Sequence, residues 1–383
     1  MDQPQYPTLS EALQTIPDPR KARGTRYSWH FLLLLIALAL ASGARTVHAL
    51  AAWIVLHADE LRIQLDWHAK SFPSESTIRR TLRLIAPTRL ETILAGLPAT
   101  PESTPTEPCS LKGQSVDGKA VRGACAHGQP THLVSLVRHT DARILGQVGV
   151  NQKTNEITAV SALLAGRNLQ GTVTPMDALL TQRQIAQQIL DQKGHYLMMV
   201  KANQAELYQA IAFLFENPPW TKREQGREYW KHRTFDKGPG RLEYRTLESS
   251  TALCSYLRWP QVGQVMRRTC RRIDRKTGVI TDEIKYGITR LPPTQATAAD
   301  LEKFWRGHWT LENRVHYIRD VTMGEDAGQV RAGHAPHVLA ALRNTLLNLY
   351  RANGWRNISD AVRYHGSQVS RAFHLLTTCP ARL

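Results

Sequence analysis

This chain lacks a cysteine framework. Its five cysteines, at 109, 125, 254, 270 and 379, are scattered and include no C-x-x-C pair. That excludes a disulfide scaffold and a thiolate zinc site, and it suits a reducing cytoplasm. Long apolar runs are also missing. The longest, FLLLLIALALA at 31–41, falls short of the roughly 20 residues a spanning helix needs. It follows a charged, proline-containing segment, and no A-x-A-like cleavage signal is clear. No membrane association is expected. No G-x-G-x-x-G follows a strand pattern and no P-loop occurs, which sets aside dinucleotide oxidoreductases and an ATP requirement. Acidic residues are scarce: 32 Asp and Glu stand against 49 Lys and Arg, giving a net charge of +17. Such a balance points to phosphate-rich nucleic acid before any other partner.

What is present is enough for a globular protein: 383 residues, 42% of them hydrophobic, which predicts two or three domains. Residues 1–97 read as a small all-helical domain. The run from Trp29 to Leu61 is apolar almost all round and predicts a buried pair of helices, broken near SGAR. SESTIRRTLRLI starts with cap residues and sets Ile78, Leu82 and Ile85 on one face, with Arg79, Arg80 and Arg83 elsewhere. It reads either as a DNA-contacting helix or as a packed helix with a solvated basic face. PATPESTPTEPCS, residues 98–110, has no apolar period and predicts a linker.

From residue 111 strands alternate with helices. GQSVDGKAV, HLVSLVRH and RILGQVGVN read as strands, and NEITAVSALLAG as a helix. GTVTPMD, TQRQIAQQILDQKG and HYLMMVK then read as strand, helix and strand. The order β-β-β-α-β-α-β predicts an α/β class and a ribonuclease H-like core over 111–383. In that fold acidic residues sit on the first strand and just after the fourth, and Asp117 and Asp177 fall at those places by analogy. Asp117 closes an apolar run; it reads as a turn residue, since Asp-Gly is a common turn pair, or as a metal ligand. A β-rich insertion at about 203–292 interrupts the core, with a hairpin turning near RKTG. Its RRTCRRIDRK stretch gathers Arg267, Arg268, Arg271, Arg272, Arg275 and Lys276, for phosphate contact or as a solvated edge strand.

Two-metal phosphoryl chemistry needs a third carboxylate, and the helix around residue 312 offers one. At about 100° per residue, Trp305, His308, Glu312, His316 and Arg319 fall within an arc of about 80°. This face is functional or a surface ion-pair cluster; a zinc site from His308, Glu312 and His316 is stretched at i, i+4, i+8 spacing. Asp320, Glu325 and Asp326 are alternative third ligands.

Ordered blocks over nearly the whole chain resemble the DDE transposases of the ISAs-type insertion sequences, the group with the H-repeat-associated proteins. They are IPDPRKARGTRYSW, DGKAVRG, KTNEITAVSALL, VTPMDALLTQRQIA, VKANQAEL and HWTLENRVHYIRDVTMGED. The resemblance implies a triad of Asp117, Asp177 and Glu312 that acts as catalytic and metal-binding residues, spaced by 60 and 135 residues. It implies Mg²⁺, with Mn²⁺ as substitute. The activity implied is cleavage at element ends followed by transesterification of the freed 3′-hydroxyl into target DNA, by a homodimer on double-stranded DNA in the bacterial cytoplasm, at the nucleoid. Lys119 and Arg122 are expected as phosphate clamps, or in salt bridges, and Arg268, Arg271 and Arg272 as further DNA contacts. His308, His316 and Arg319 are expected to position DNA beside Glu312. Asn155 and Glu156 match a family block, although a Glu at a helix N-terminus is ordinarily favourable to the macrodipole alone. Ala120 and Val121 depart from the usual Thr and Leu, Tyr317 from the usual Trp, and GPGRLEYR from a segment with His. Where relatives carry a Y-x2-R-x3-E-x6-K signature, this chain has Trp305, His308, Glu312 and Arg319. A general metal-dependent nuclease and a DNA-binding protein with an idle triad remain as alternatives.

Overall fold

A computed structural model of the chain describes residues 7–23, 25–97, 111–126, 129–150, 156–219 and 228–379. The linker expected at 98–110 and Asn155 lie outside the described residues. The first part is helical: α1 (Leu9–Gln14), α2 (Trp29–Ala41), α3 (Val47–Leu56), α4 (Ala58–Gln64), α5 (Glu75–Leu84) and α6 (Pro87–Ala95). Thr8, Ser28, Thr46 and Ser74 cap α1, α2, α3 and α5 by accepting a backbone N–H. Every residue of α2 except His30 is buried, so its apolar run is a core helix. No described helix is long and apolar enough to cross a membrane.

Three strands follow, β1 (Lys112–Ala126), β2 (Gln129–Arg138) and β3 (Ile144–Val150), then α7 (Glu156–Leu164), β4 (Thr172–Met176), α8 (Arg183–Asp191), β5 (His195–Val200) and α9 (Ala205–Glu216). Next come β6 (Tyr229–Gly238), β7 (Arg241–Ser250), β8 (Gln264–Asp274) and β9 (Ile280–Thr289). Among the described residues these strands form a single sheet in the order β3-β2-β1-β4-β5-β9-β8-β7-β6. β1, β4 and β5 run parallel, and all other neighbours are antiparallel. The expected insertion is therefore continuous with the core sheet, because β9 pairs with β5 from Leu197↔Thr289 to Val200↔Tyr286.

Period-two alternation places helices on both faces of the sheet. On β5, Tyr196, Met198 and Val200 pack with α7, α8 and α9. Leu197 points the other way, with Val173, Leu247 and Met266, onto α10 (Ala298–Gly307). The chain continues through α11 (Trp309–Leu311), two π-helical turns at Glu312–His316 and Ile318–Thr322, and α12 (Ala335–Ala352), α13 (Ile358–Gly366) and α14 (Val369–Thr377). The helices before β1 share one core with α12, α13 and α14, and Val137 and Ile144 of the sheet join it. The helices before β1 thus pack in one layer with α12, α13 and α14. Tyr350 of α12 seals it by donating its hydroxyl hydrogen to the Ala41 carbonyl at 2.7 Å.

Candidate active site

β1 and β4 pair in parallel at Lys112↔Thr172 and Gly113↔Val173, an offset of 60 residues. The same offset separates Asp117 from Asp177, so the two carboxylates stand at one level on neighbouring strands. The pairing ends after Gly113 and Val173, so the two strands part before they reach the aspartates. The expectation that Asp117 closes its strand does not hold: β1 runs on to Ala126 because β2 continues the ladder, with Asp117 opposite Ser135. Asp177 follows β4 directly and caps a tight turn, accepting from the Leu180 amide at 3.0 Å.

Gly118 has a specific job. A Cβ there would meet Glu156 Oε1 at 2.5 Å, so the missing side chain admits a carboxylate from the start of α7. Glu156 is buried, and it is the site residue that sequence reasoning underrated. The Asp-Gly pair that suggested a turn was the signal available for it. Asp117 keeps 35% of its side chain exposed. Burial, then the charge of Asp177, then those of Glu156 and Glu312, push its carboxyl up to about 7, against the lowering effect of the Gly118 amide.

Glu312 opens the first π-helical turn and is exposed. Tyr317 donates its amide to Glu312 and Met323 to Ile318, each five residues back. The break at His308 between α10 and α11 and then these turns, which each take up an extra residue and shift the phase, undo the single functional face expected from regular helical spacing. Trp305 faces the core at 1% exposure, Arg319 is fully buried, and Glu312 faces out. His316 is buried with Nδ1 3.9 Å from Asp117 Oδ2. Burial, then Arg319 and Lys119, lower it to about 3, so it is a neutral imidazole beside the carboxylate. Burial also lowers His308. His308 Nδ1 and His316 Nε2 have no hydrogen-bond partner among the described residues. His139 of the loop after β2 donates or accepts at Ser115 Oγ over 2.6 Å. Its ring fills the space a Cβ on Gly113 or Gly307 would take, which ties β1 to the helix leading to Glu312.

Lys119 is a correction. It is buried and ion-paired with Asp320 and, at 2.9 Å, with Glu325, so its charge is committed inside the protein and does not reach a phosphate. Arg319 pairs with Glu325 at 2.7 Å and donates to Gln147 at 3.0 Å, which removes it from DNA positioning. Arg343 approaches Glu325 at 3.7 Å. Burial pushes Glu325 up, but Arg319, Lys119 and Arg343 outweigh it and hold the carboxyl at about 2. Glu325 is therefore unsuited as the third metal ligand. Arg122 is exposed, and its amide donates to Asp326 at 3.2 Å.

The basic strand of the extension is largely paired as well. Arg268 is buried and forms a two-pronged pair with Glu302 at 2.8 and 3.0 Å, which corrects its assignment to DNA. Arg271 pairs with Asp282 and Arg272 with Glu283 across the strands.

Among the described residues, no three His, Cys, Asp or Glu side chains stand as a ready-made ion-holding group. In kind, however, Asp117, Asp177, Glu156 and Glu312 suit a hard divalent cation: all offer carboxylate oxygens, and the charges of the other three raise the Asp117 carboxyl.

Comparisons with known proteins agree on one grouping. The family model "Transposase DDE domain" matches residues 104–349, and "DDE_Tnp_1-associated" matches residues 10–96. The "H repeat-associated putative transposase YhhI" of Escherichia coli K12 is 26% identical over 89% of both chains. "Putative transposase YncI" of Escherichia coli O157:H7 is 26% identical over 90% of this chain and 87% of its own. A solved piggyBac transposase synaptic complex with hairpin DNA aligns with 98% of this chain and 80% of its own, at a TM-score of 0.42 and 9% identity.

Proposed function

Because this chain belongs to the DDE transposase family, we propose that Asp117, Asp177 and Glu312 are the acidic triad through which it cuts and rejoins DNA. The convergence of carboxylates where β1 and β4 part is the observation that carries this reading. The element order β1-β2-β3-α7-β4-α8-β5, with Asp117 on the first strand and Asp177 just past the fourth, supports a ribonuclease H-like core.

Asp117, Asp177 and Glu312 would hold divalent ions, Mg²⁺ with Mn²⁺ as substitute, and Glu156 stands close enough in charge to share that role. Such ions supply activation of the attacking oxygen and neutralisation of the leaving oxygen. Asp117 within β1 and Asp177 directly after β4 are held by the sheet, and a site carried on regular elements is positioned most reproducibly. Neutral His316 packs beside Asp117 without adding positive charge. In the first step water attacks the scissile phosphorus, the bond to the 3′ oxygen breaks, and that oxygen leaves as a 3′-hydroxyl. In the second, the 3′-hydroxyl attacks a target phosphodiester, one P–O bond replaces another, and no covalent enzyme intermediate forms. Two element ends would meet in a homodimer on double-stranded DNA at the nucleoid.

The test is nicking of supercoiled plasmid carrying the element's own ends, against scrambled ends, with Mg²⁺ or Mn²⁺, by the native protein and Asp177→Asn. Cleavage confined to true ends and lost in the variant supports the proposal. Cleavage of both plasmids identifies a general nuclease instead. Tight binding without cleavage under either metal removes the catalytic assignment.

A further inference from the structure

The loop before α2 and the exposed side of α5 enclose a recess of about 690 Å³. Its wall carries Arg20, Lys21, Arg23 and Arg26 from the loop and Arg80 from α5. Among the described residues no carboxylate lines it. The nearby acids are already engaged. Asp18 takes Arg20 in a two-pronged pair at 2.8 and 2.7 Å. Glu75, at the start of α5, is held by Arg79 and by His48 at 3.0 Å. Lys21, Arg23, Arg26 and Arg80 remain exposed and form no ion pair with a described carboxylate.

This is unlike the basic strand β8, where cross-strand acids answer the arginines. The recess is also presented by a firm support. Arg20 donates to the Tyr27 carbonyl at 2.9 Å, and the Tyr27 hydroxyl donates to the Ser71 carbonyl at 3.3 Å. Tyr27 itself is buried, stacked with Phe31 and tilted against Trp67. Four like charges gathered on a concave wall repel one another, and a polyanion that threads the recess relieves that repulsion. An anionic bilayer is the poorer match, since Ile78 and Leu82 of α5 are buried in the protein and the exposed Leu84 in the wall is too small an apolar surface to insert.

We propose that this recess is a second DNA site, separate from the carboxylates, in which Lys21, Arg23, Arg26 and Arg80 grip the phosphate backbone of duplex DNA without reading its sequence. The choice of DNA as the polyanion rests on the functional reading above; the recess and its charge do not.

The experiment is fluorescence anisotropy of a labelled 30-base-pair duplex with the full chain, over a series of salt concentrations. The variants are Lys21→Ala/Arg23→Ala/Arg26→Ala/Arg80→Ala together, Arg80→Glu alone, and Arg363→Ala, whose guanidinium pairs with Asp360, as a paired-cation control. The fourfold variant is expected to lower the slope of log K against log salt by about 4 and to weaken binding on the order of 100-fold, equally for unrelated sequences. Arg80→Glu is expected to lower the slope by about 1 or more, and Arg363→Ala to leave it unchanged. Unchanged slopes in fourfold and single variants with native circular dichroism overturn the proposal. So does binding to vesicles of phosphatidylcholine and phosphatidylglycerol that the fourfold variant loses while DNA binding persists. The two readings fail separately. Lost DNA binding in the variant, with no nicking by the native protein under any metal, refutes the catalytic reading and keeps the recess. End-specific nicking with normal binding by the variant does the reverse.

Discussion

Asp117 and Lys119 stand two residues apart on β1, yet they belong to opposite kinds of charge cluster. Around Lys119 the charges cancel: Lys119, Arg319 and Arg343 are answered by Asp320, Glu325 and Asp326 in a largely buried network with Gln147. Around Asp117 they add: Asp177, Glu156 and Glu312 all press its carboxyl in the same direction. A buried charge answered from within is part of the architecture, and removing one partner strands the rest. Converging charge of one sign is a standing cost that a ligand can offset, and it marks a place for one. The same contrast separates the paired arginines of β8 from Lys21, Arg23, Arg26 and Arg80, which pair with no described carboxylate.

The sharpest way to break this comparison is Glu325→Gln. It leaves Arg319 and Lys119 facing an uncharged amide, and we expect a loss of about 3–5 kcal/mol in urea unfolding. The sign with pH follows from the lowered carboxyl. Glu325 stays ionised in the fold down to about pH 2, whereas its ordinary value is 4.5. Its stabilisation is therefore complete above about pH 4.5 and fades as pH falls toward 2. The gap between native protein and variant should shrink over that window; a gap that is constant there refutes the pairing.

Asp117→Asn should do the opposite. Removing one of the crowded carboxylates leaves the melting temperature level or raised, while cleavage falls by more than roughly 100-fold, beyond the effect typical of outer-shell partners of a metal. A variant that is both unstable and active places Asp117 among the structural charges instead. Gly118→Ala is a milder probe of the same site. Its methyl meets Glu156, which must swing away, and we expect roughly 10-fold slower nicking with a small stability loss. Equal rates remove Glu156 from the site. The smallest effect is expected for Arg271→Ala, an unchanged midpoint in thermal unfolding, since its pair with Asp282 stands in solvent. A clearly lowered midpoint makes that pair part of the architecture.

Much of the secondary structure was legible because it is local. The cap before α5, the apolar face of α5 and the short apolar run of β5 follow from residue types a few positions apart. Asp117 and Asp177 were legible through element order, and their spacing equals the β1–β4 register offset. Other features were hidden for physical reasons. Asp-Gly reads as a turn, and only the carboxylate arriving from α7 explains a glycine within a continuing strand. A regular helical wheel cannot register the two π-helical turns, so it put Arg319 beside Glu312 when one is buried and the other exposed.

The sequence by itself determined the class of elements, their order, the excess of positive charge and the two aspartates at matching strand positions. Those depend on periodicity and composition, which are local or additive. The tertiary structure decided which charges are answered. Arg268 meets Glu302 from 34 residues away, Lys119 meets Glu325 from 206, and α2 meets α12 across most of the chain. An ion pair depends on distance in space, falls off over a few ångströms in solvent, and leaves no period in the chain. That is why a count of arginines pointed to β8, and the fold points to the recess beside α5.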